Sequence, residues 1–179
     1  MTLICCIDTN ALLDMCYRYY PSTSFANLWD ELESAVIANQ VRFVQSEHIK
    51  REVEGKIRQF NYDENNYDSF VERLRVSVVM NSDYEQELTN LKGDLHSNIP
   101  FITEKPRTYL DNLDEDLSNI SVAYIKNAKV VTSEQGFNTD ITNPTIKKKT
   151  QLKIPDVCYY KNIPCSNWLE VFNHLGMRF

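Results

Sequence analysis

The chain begins with an unbroken apolar run, "LICCI" (Leu3 to Ile7), that stops at Asp8. A short apolar run without alternation predicts a strand buried on both faces, here residues 2–7. Thr9 and Asn10 suit the start of a helix reaching about Tyr19, and Pro21 ends it. After Ser22, Thr23 and Ser24, the residues Phe25, Leu28, Trp29, Leu32, Ala35 and Val36 recur at helical spacing, which predicts a second helix to Ala38. "VRFVQ" (Val41 to Gln45) predicts a second strand. Ser46 caps a third helix that carries Ile49, Val53 and Ile57 on one face.

The middle of the chain, about 61–105, is polar and helix-prone. Phe70, Leu74 and Val78, then Leu88, Leu91 and Leu95, stand at helical steps. Two or three helices are expected, as a helical insertion or lid, although "RVSVVM" (Arg75 to Met80) reads equally well as a strand. From Asp111 a helical pattern carries Ile120, Ala123 and Tyr124 into "AKVVTSE", a third buried strand and polar turn. Residues 138–150 read as an exposed loop. "KIPDVCYY" starts a short helix with Pro155 in its first turn. "IPC" (Ile163 to Cys165) reads as a short strand. Asn167 and Glu170 have capping-box spacing ahead of a last helix, which Gly176 stops.

Strands alternating with helices predict an α/β fold, a three-layer sandwich with a central, mostly parallel sheet of about four or five strands. With no linker or repeat, the 179 residues read as one domain, 1–179. In such sheets ligands bind beyond the carboxyl ends of the strands. Asp8 and Glu134 each stand just past a strand of this kind, so they meet at one edge if those strands are neighbours.

Composition adds limits. No apolar run is long enough for a bilayer, and no signal-peptide pattern opens the chain, so a cytoplasmic protein with no membrane partner is expected. Five cysteines without zinc spacing read as reduced, mostly buried thiols. A net charge of −6 argues against broad electrostatic binding of nucleic acid, but not against an enzyme with clustered catalytic acids. Lys147, Lys148 and Lys149 form a small basic run that reads as a solvated loop. With four glycines and no phosphate-binding glycine motif, nucleotide-loop chemistry is excluded. His48, His96 and His174 are too scattered for a zinc site or a serine triad. Asn10, two residues beyond Asp8, stands where an aspartyl-nucleophile phosphatase carries a second aspartate.

The acids carry the remaining chemistry. Asp8 follows strand one, Glu52 lies about two turns into the helix after strand two, Asp116 sits near the start of the helix leading to "AKVVT", and Glu134 follows that strand. Taken alone, each has an ordinary reading: Asp8 as a helix cap, the others as surface acids. Brought together, they repel and require protons or a cation. Oxygen ligands suit Mg²⁺ or Mn²⁺, which can activate water and stabilise an in-line displacement at phosphorus.

The same residues resemble a known family. "CIDTNALLD" resembles the opening of PIN-domain proteins, in which a strand ends in an aspartate followed by Thr/Ser-Asn. "SEHIKREV" resembles the helix that supplies their glutamate, and "DLSNISVAYIKNAKVVTSE" the segment that supplies their third and fourth acids. "YRYYP", "FVQSEHIKREVEG" and "KIPDVC" resemble a branch of bacterial PIN-like, toxin-type ribonucleases. The segment "DEDLSN" departs from the family pattern around the third acid, so Asp114 and Glu115 stand as alternatives to Asp116. Glu134 replaces the commoner aspartate. The resemblance implies a metal-dependent endoribonuclease, the toxin of a toxin–antitoxin pair. Asp8, Glu52, Asp116 and Glu134 would be catalytic and would hold one or two Mg²⁺ or Mn²⁺ ions. Asp156 would either join them or cap its own helix. Thr9, Asn10 and Thr132 would orient the carboxylates through hydrogen bonds. Arg18 would touch RNA, beside tyrosines that otherwise read as core packing. The implied partners are an RNA substrate, a cognate antitoxin and a second copy of the chain as a homodimer. The rival reading is a non-catalytic module that binds RNA or a protein.

Overall fold

The computed structural model describes residues 2–106, 108–136, 140–146 and 151–177. Five strands, β1 (Leu3–Ile7), β2 (Val41–Ser46), β3 (Ser77–Val79), β4 (Lys129–Val131) and β5 (Cys165–Ser166), form one sheet in the order β3-β2-β1-β4-β5. Every pairing is parallel. The chain builds outward from β1 through β2 to β3, then crosses to the other side for β4 and β5. The direction of growth therefore reverses between β1 and β4, and Asp8 and Glu134 follow those two neighbouring strands.

Helices cover both faces. The first face carries α1 (Thr9–Leu13), α2 (Ala26–Ile37), α3 (Glu47–Phe60), α4 (Glu64–Arg73) and α10 (Trp168–His174). The second carries α5 (Asn81–Asn98), α6 (Pro100–Thr103), α7 (Thr108–Asp111), α8 (Asp114–Lys126) and α9 (Ile154–Tyr160). Strand side chains divide between the two cores as the pleat requires: Cys5, Ile7, Val41 and Phe43 face the first, Cys6 and Val44 the second. With both faces covered, β1 has no solvated side, which accounts for its continuous apolar run. The α3 helix buries Ile49, Val53 and Ile57 one turn apart, and each such side chain contributes roughly 1.5–3 kcal/mol. Ser46 accepts from the Ile49 N–H at 3.1 Å to start α3, and Asn61, at φ 54°, ends it in the left-handed region.

The segment read as a helical insertion or lid supplies α4, β3, α5 and α6. Residues Ser77–Val79 are a strand because Val44, Gln45 and Ser46 pair with them. Tyr84, Leu88, Leu91 and Leu95 of α5 are buried in the second core. The helical pattern expected from Asp111 resolves into α7 and α8, with a break at Asn112–Leu113. In the loop expected to be exposed, Ile141 is 1% exposed and belongs to the second core. The strand expected at Ile163–Cys165 is shifted to Cys165–Ser166, set by the bonds from the Val130 N–H to Pro164 O and from the Thr132 N–H to Ser166 O. Asn167 caps α10 through the Glu170 N–H, and Gly176, at φ 71°, follows its end. All five cysteines are free thiols, four of them buried. The basic run Lys147–Lys149 lies outside the described residues. No helix among the described residues is long and apolar enough to cross a membrane.

Candidate functional site

Asp8 leaves β1 at its carboxyl end with 1% of its surface exposed. It occupies the N-cap position of α1, yet its side chain makes no capping hydrogen bond. Its Oδ2 instead accepts from Thr132 Oγ1 at 3.0 Å, across the gap to the end of β4. The Thr132 hydroxyl in turn accepts from the Glu134 N–H at 3.1 Å, so one side chain ties the first acid to the loop that carries the fourth. Helix capping, the ordinary reason for an aspartate after a strand, therefore does not account for Asp8.

The other acids arrive from three directions. Glu52, on α3, accepts from Thr9 Oγ1 at 2.5 Å. Asp116 lies in the first turn of α8, half-buried. The starts of α3 and α8 meet through Ser46 Oγ and Ser118 Oγ, 2.7 Å apart, which sets Glu52 and Asp116 on facing elements. Of the three consecutive acids in that turn, Asp114 is paired with Lys92, whereas Asp116 feels both Glu134 and Glu52. Asp116 is thus set among the other acids, whereas Asp114 is turned to a lysine.

Electrostatics report the crowding. Burial first, and then Asp116, push the Asp8 carboxyl up to about 8; Glu134 and Glu52 add to the rise, and the Thr132 hydrogen bond opposes it. Burial also raises Asp116 to about 7, with Glu134, Glu52 and Glu115 contributing and Lys153 opposing. Two carboxyls with raised pKa values at one sheet edge call for protons or for a positive charge.

Glu134 is engaged differently. Its Oε1 is 3.0 Å from Lys153 Nζ, and its Oε2 accepts from the Ile154 N–H at 3.0 Å. It caps α9 and pairs with a cation. Asp156, in the first turn of the same helix, is 6% exposed and packs against Gly136, where an added Cβ would fall 2.7 Å from Asp156 Oδ1. Thr9 and Thr132 hold carboxylates as expected, but Asn10 does not: its Oδ1 accepts from Arg18 Nη1 at 3.2 Å. Arg18 ends a π-helical turn, Asp14–Arg18, and lies 3.5 Å from Asp14 Oδ1. Asp14, 4% exposed, also accepts from Ser133 Oγ. Of the tyrosines near Arg18, Tyr17 stacks on Tyr62 with centroids 4.4 Å apart and Tyr20 packs edge-on to Phe172; Tyr19 is exposed.

Lys153, Asp14 and Ser133 had no role in the sequence reading. Lys153 lies within "KIPDVC", and a cation leading a helix that carries a buried acid was the available signal. The pairing of Ser133 with Asp14 spans 119 positions and leaves no local mark.

As donors, the carboxylates suit a hard divalent cation, and the raised Asp8 and Asp116 lack the charge such an ion supplies. Among the described residues no three Asp, Glu, His or Cys side chains are gathered as a ready-made ligand set. The donors fit in kind, and Glu134 is turned toward Lys153.

No curated protein and no solved structure matches the chain. A family model described as Domain of unknown function (DUF4411) matches residues 5–179, from within β1 through the last helix and so across every acid of the site, and the chain belongs to that family.

Proposed function

We propose that the chain is a divalent-cation-dependent endoribonuclease and the toxin of a toxin–antitoxin pair. The observation that supports it most is Asp8: a carboxylate 1% exposed at the end of the central strand, not capping its helix and facing a second acid. The choice of RNA, the toxin role and the antitoxin partner rest on the resemblance of "CIDTNALLD", "SEHIKREV" and "KIPDVC" to PIN-like toxins.

Asp8 and Asp116 would hold Mg²⁺ or Mn²⁺, with Glu52 beside them. A bound cation supplies positive charge at the scissile phosphate and lowers the pKa of water at the site. Thr132 fixes the Asp8 carboxylate and Thr9 fixes Glu52, so the donors keep their directions when substrate arrives. The starts of α1, α3 and α8 all face this edge, and their N–H ends favour a phosphate there. Arg18, held by Asn10 and Asp14 on the same side of the sheet, is the phosphate contact on the rim.

Incubation of the purified chain with total RNA, with and without Mn²⁺, tests the reading. Cleavage that needs the ion and is lost in Asp8→Asn, with the circular dichroism spectrum unchanged, is the expected result. Expression of the wild-type chain alone should slow bacterial growth, and Glu52→Gln should relieve it. The engagement of Glu134 by Lys153 and Ile154 favours a second reading, a non-catalytic module binding RNA or a protein. RNA binding without cleavage in any divalent ion would decide for it.

A further inference from the structure

The candidate site contains a cation of its own. Lys153 precedes α9 as its N-cap residue, with Nζ 3.0 Å from Glu134 Oε1. The other oxygen of that carboxylate takes the Ile154 N–H at 3.0 Å. The pair is partly sheltered, its side chains 30% and 20% exposed. A carboxylate held by an ammonium and by the first N–H of a helix has much of its charge compensated already. A second divalent ion at Glu134 would have to displace the ammonium or sit against it, and like charges at such range repel strongly in a partly buried site.

We propose that Lys153 holds the place of a second cation, so that the site binds one divalent ion on the side of Asp8 and Asp116 and meets the substrate's phosphate charge beside Glu134 with the Lys153 ammonium. The inference rests on the ribonuclease reading of the same carboxylates and settles its metal count. It makes Lys153 a substrate-contacting residue and Glu134 the group that positions it. A lysine suits this position because its ammonium is a compact point charge on a flexible stem, able to turn from Glu134 to a phosphate.

Mn²⁺ binding to the full-length chain at pH 8, followed by calorimetry and by the electron-spin-resonance signal of free Mn²⁺, tests this without any activity assay. The wild type should bind one ion. Lys153→Gln, which removes the ammonium from Glu134 Oε1 and with it a like charge, should bind a second ion or hold the single ion about tenfold more tightly. Lys153→Arg, which keeps the charge, should stay at one ion with affinity near that of the wild type. Two ions in the wild type, or a Lys153→Gln chain that matches it in number and affinity, overturns the inference and leaves the ribonuclease reading standing. No Mn²⁺ binding by the folded wild type overturns the ribonuclease reading itself. Should Lys153→Gln fail to fold, Glu134→Gln breaks the same pair from the other side. It should still bind one ion, and loss of binding there makes Glu134 a ligand and overturns the inference.

Discussion

At the amino end of the sheet an open groove of about 440 Å³ is lined by three exposed cations, Arg42 on β2, Arg75 just before β3 and Lys126 at the end of α8. At the carboxyl end the acids Asp8, Glu52, Asp116, Glu134 and Asp156 gather, with Lys153 as the cation paired to Glu134. The helix ends suit the groove cations and the clustered acids. α2, α4 and α8 finish at the amino end, where their carbonyls favour cations, and α1, α3, α8 and α9 begin at the carboxyl end, where their N–H groups favour anions. Helix polarity suits these charges but does not account for burying one of them. The amino-end cations stay in water, and such exposed charges need no further explanation. Asp8 is removed from water, and a buried carboxylate needs a proton or a counter-charge. Only the carboxyl end therefore asks for something the chain does not supply in full.

The largest effect expected from this contrast is on stability without metal. The folded-state value of Asp8 is about 8 against an ordinary 3.8, so between those limits the folded state holds a proton that the unfolded state has released. Stability then falls as pH rises from about 4 to about 8. Each pKa unit corresponds to about 1.4 kcal/mol, so Asp8→Asn should raise the melting temperature in chelator at pH 8 by an amount on the order of ten degrees. Thermal scans from pH 4 to pH 8 should show this advantage vanish at the acid limit. An advantage that does not change with pH contradicts the assignment.

The next effect is on the pH dependence of metal binding. Protonated Asp8 and Asp116 must lose their protons to hold an ion. Mn²⁺ affinity in the wild type should therefore rise steeply between pH 6 and pH 8 and level off above. Calorimetric titrations across that range check the slope, and a flat profile removes both residues from the ligand set. A smaller effect is expected at Gly136, where an alanine Cβ would fall 2.7 Å from Asp156 Oδ1 and 3.2 Å from Pro155 Cβ. Gly136→Ala should cost about 1–3 kcal/mol, the usual range for crowding a packed site, seen as a lower denaturant midpoint. The smallest effects belong to the amino end. Arg42→Ala and Lys126→Ala should each change stability by no more than about 0.5 kcal/mol and leave the response to Mn²⁺ unaltered. A larger loss at either position would show that the amino end also holds its charges for a reason.

Asp8 was legible because an apolar run stops on it, and Glu134 because "KVV" repeats the pattern; their place at one sheet edge then followed once β1 and β4 were neighbours. The α3 helix was legible from Ser46 and the spacing of Ile49, Val53 and Ile57. β3 was ambiguous, since Val76, Val78 and Val79 suit a strand or a buried helix turn, and its pairing with β2, about thirty residues earlier in the chain, decided the matter. The Lys153 pairing was not legible: it joins the loop after β4 to the start of α9 across nineteen positions, and only the folded chain sets those two segments side by side. The role of Asn10 was misplaced because its position beside Asp8 suggested a carboxylate partner, whereas its side chain turns to Arg18 on the outer surface of α1.

The central claim is that Asp8 and Asp116, with Glu52 beside them, form one cation site, and Asp116 tests it most directly because its charge acts on Asp8 and is itself raised by Glu134 and Glu52. The measurement is the melting temperature of the wild type and of Asp116→Asn at pH 8, each in chelator and in millimolar Mn²⁺. In chelator the variant should melt higher, since one repelling charge is gone. In Mn²⁺ the wild type should gain several degrees; an ion at about a hundred times its dissociation constant contributes roughly 2.7 kcal/mol, and the variant should lose most of that gain. A general packing change cannot produce opposite signs in the two buffers. A variant that melts lower in chelator and gains from Mn²⁺ as much as the wild type would contradict the account and send the search for the third acid to Asp114 or Glu115.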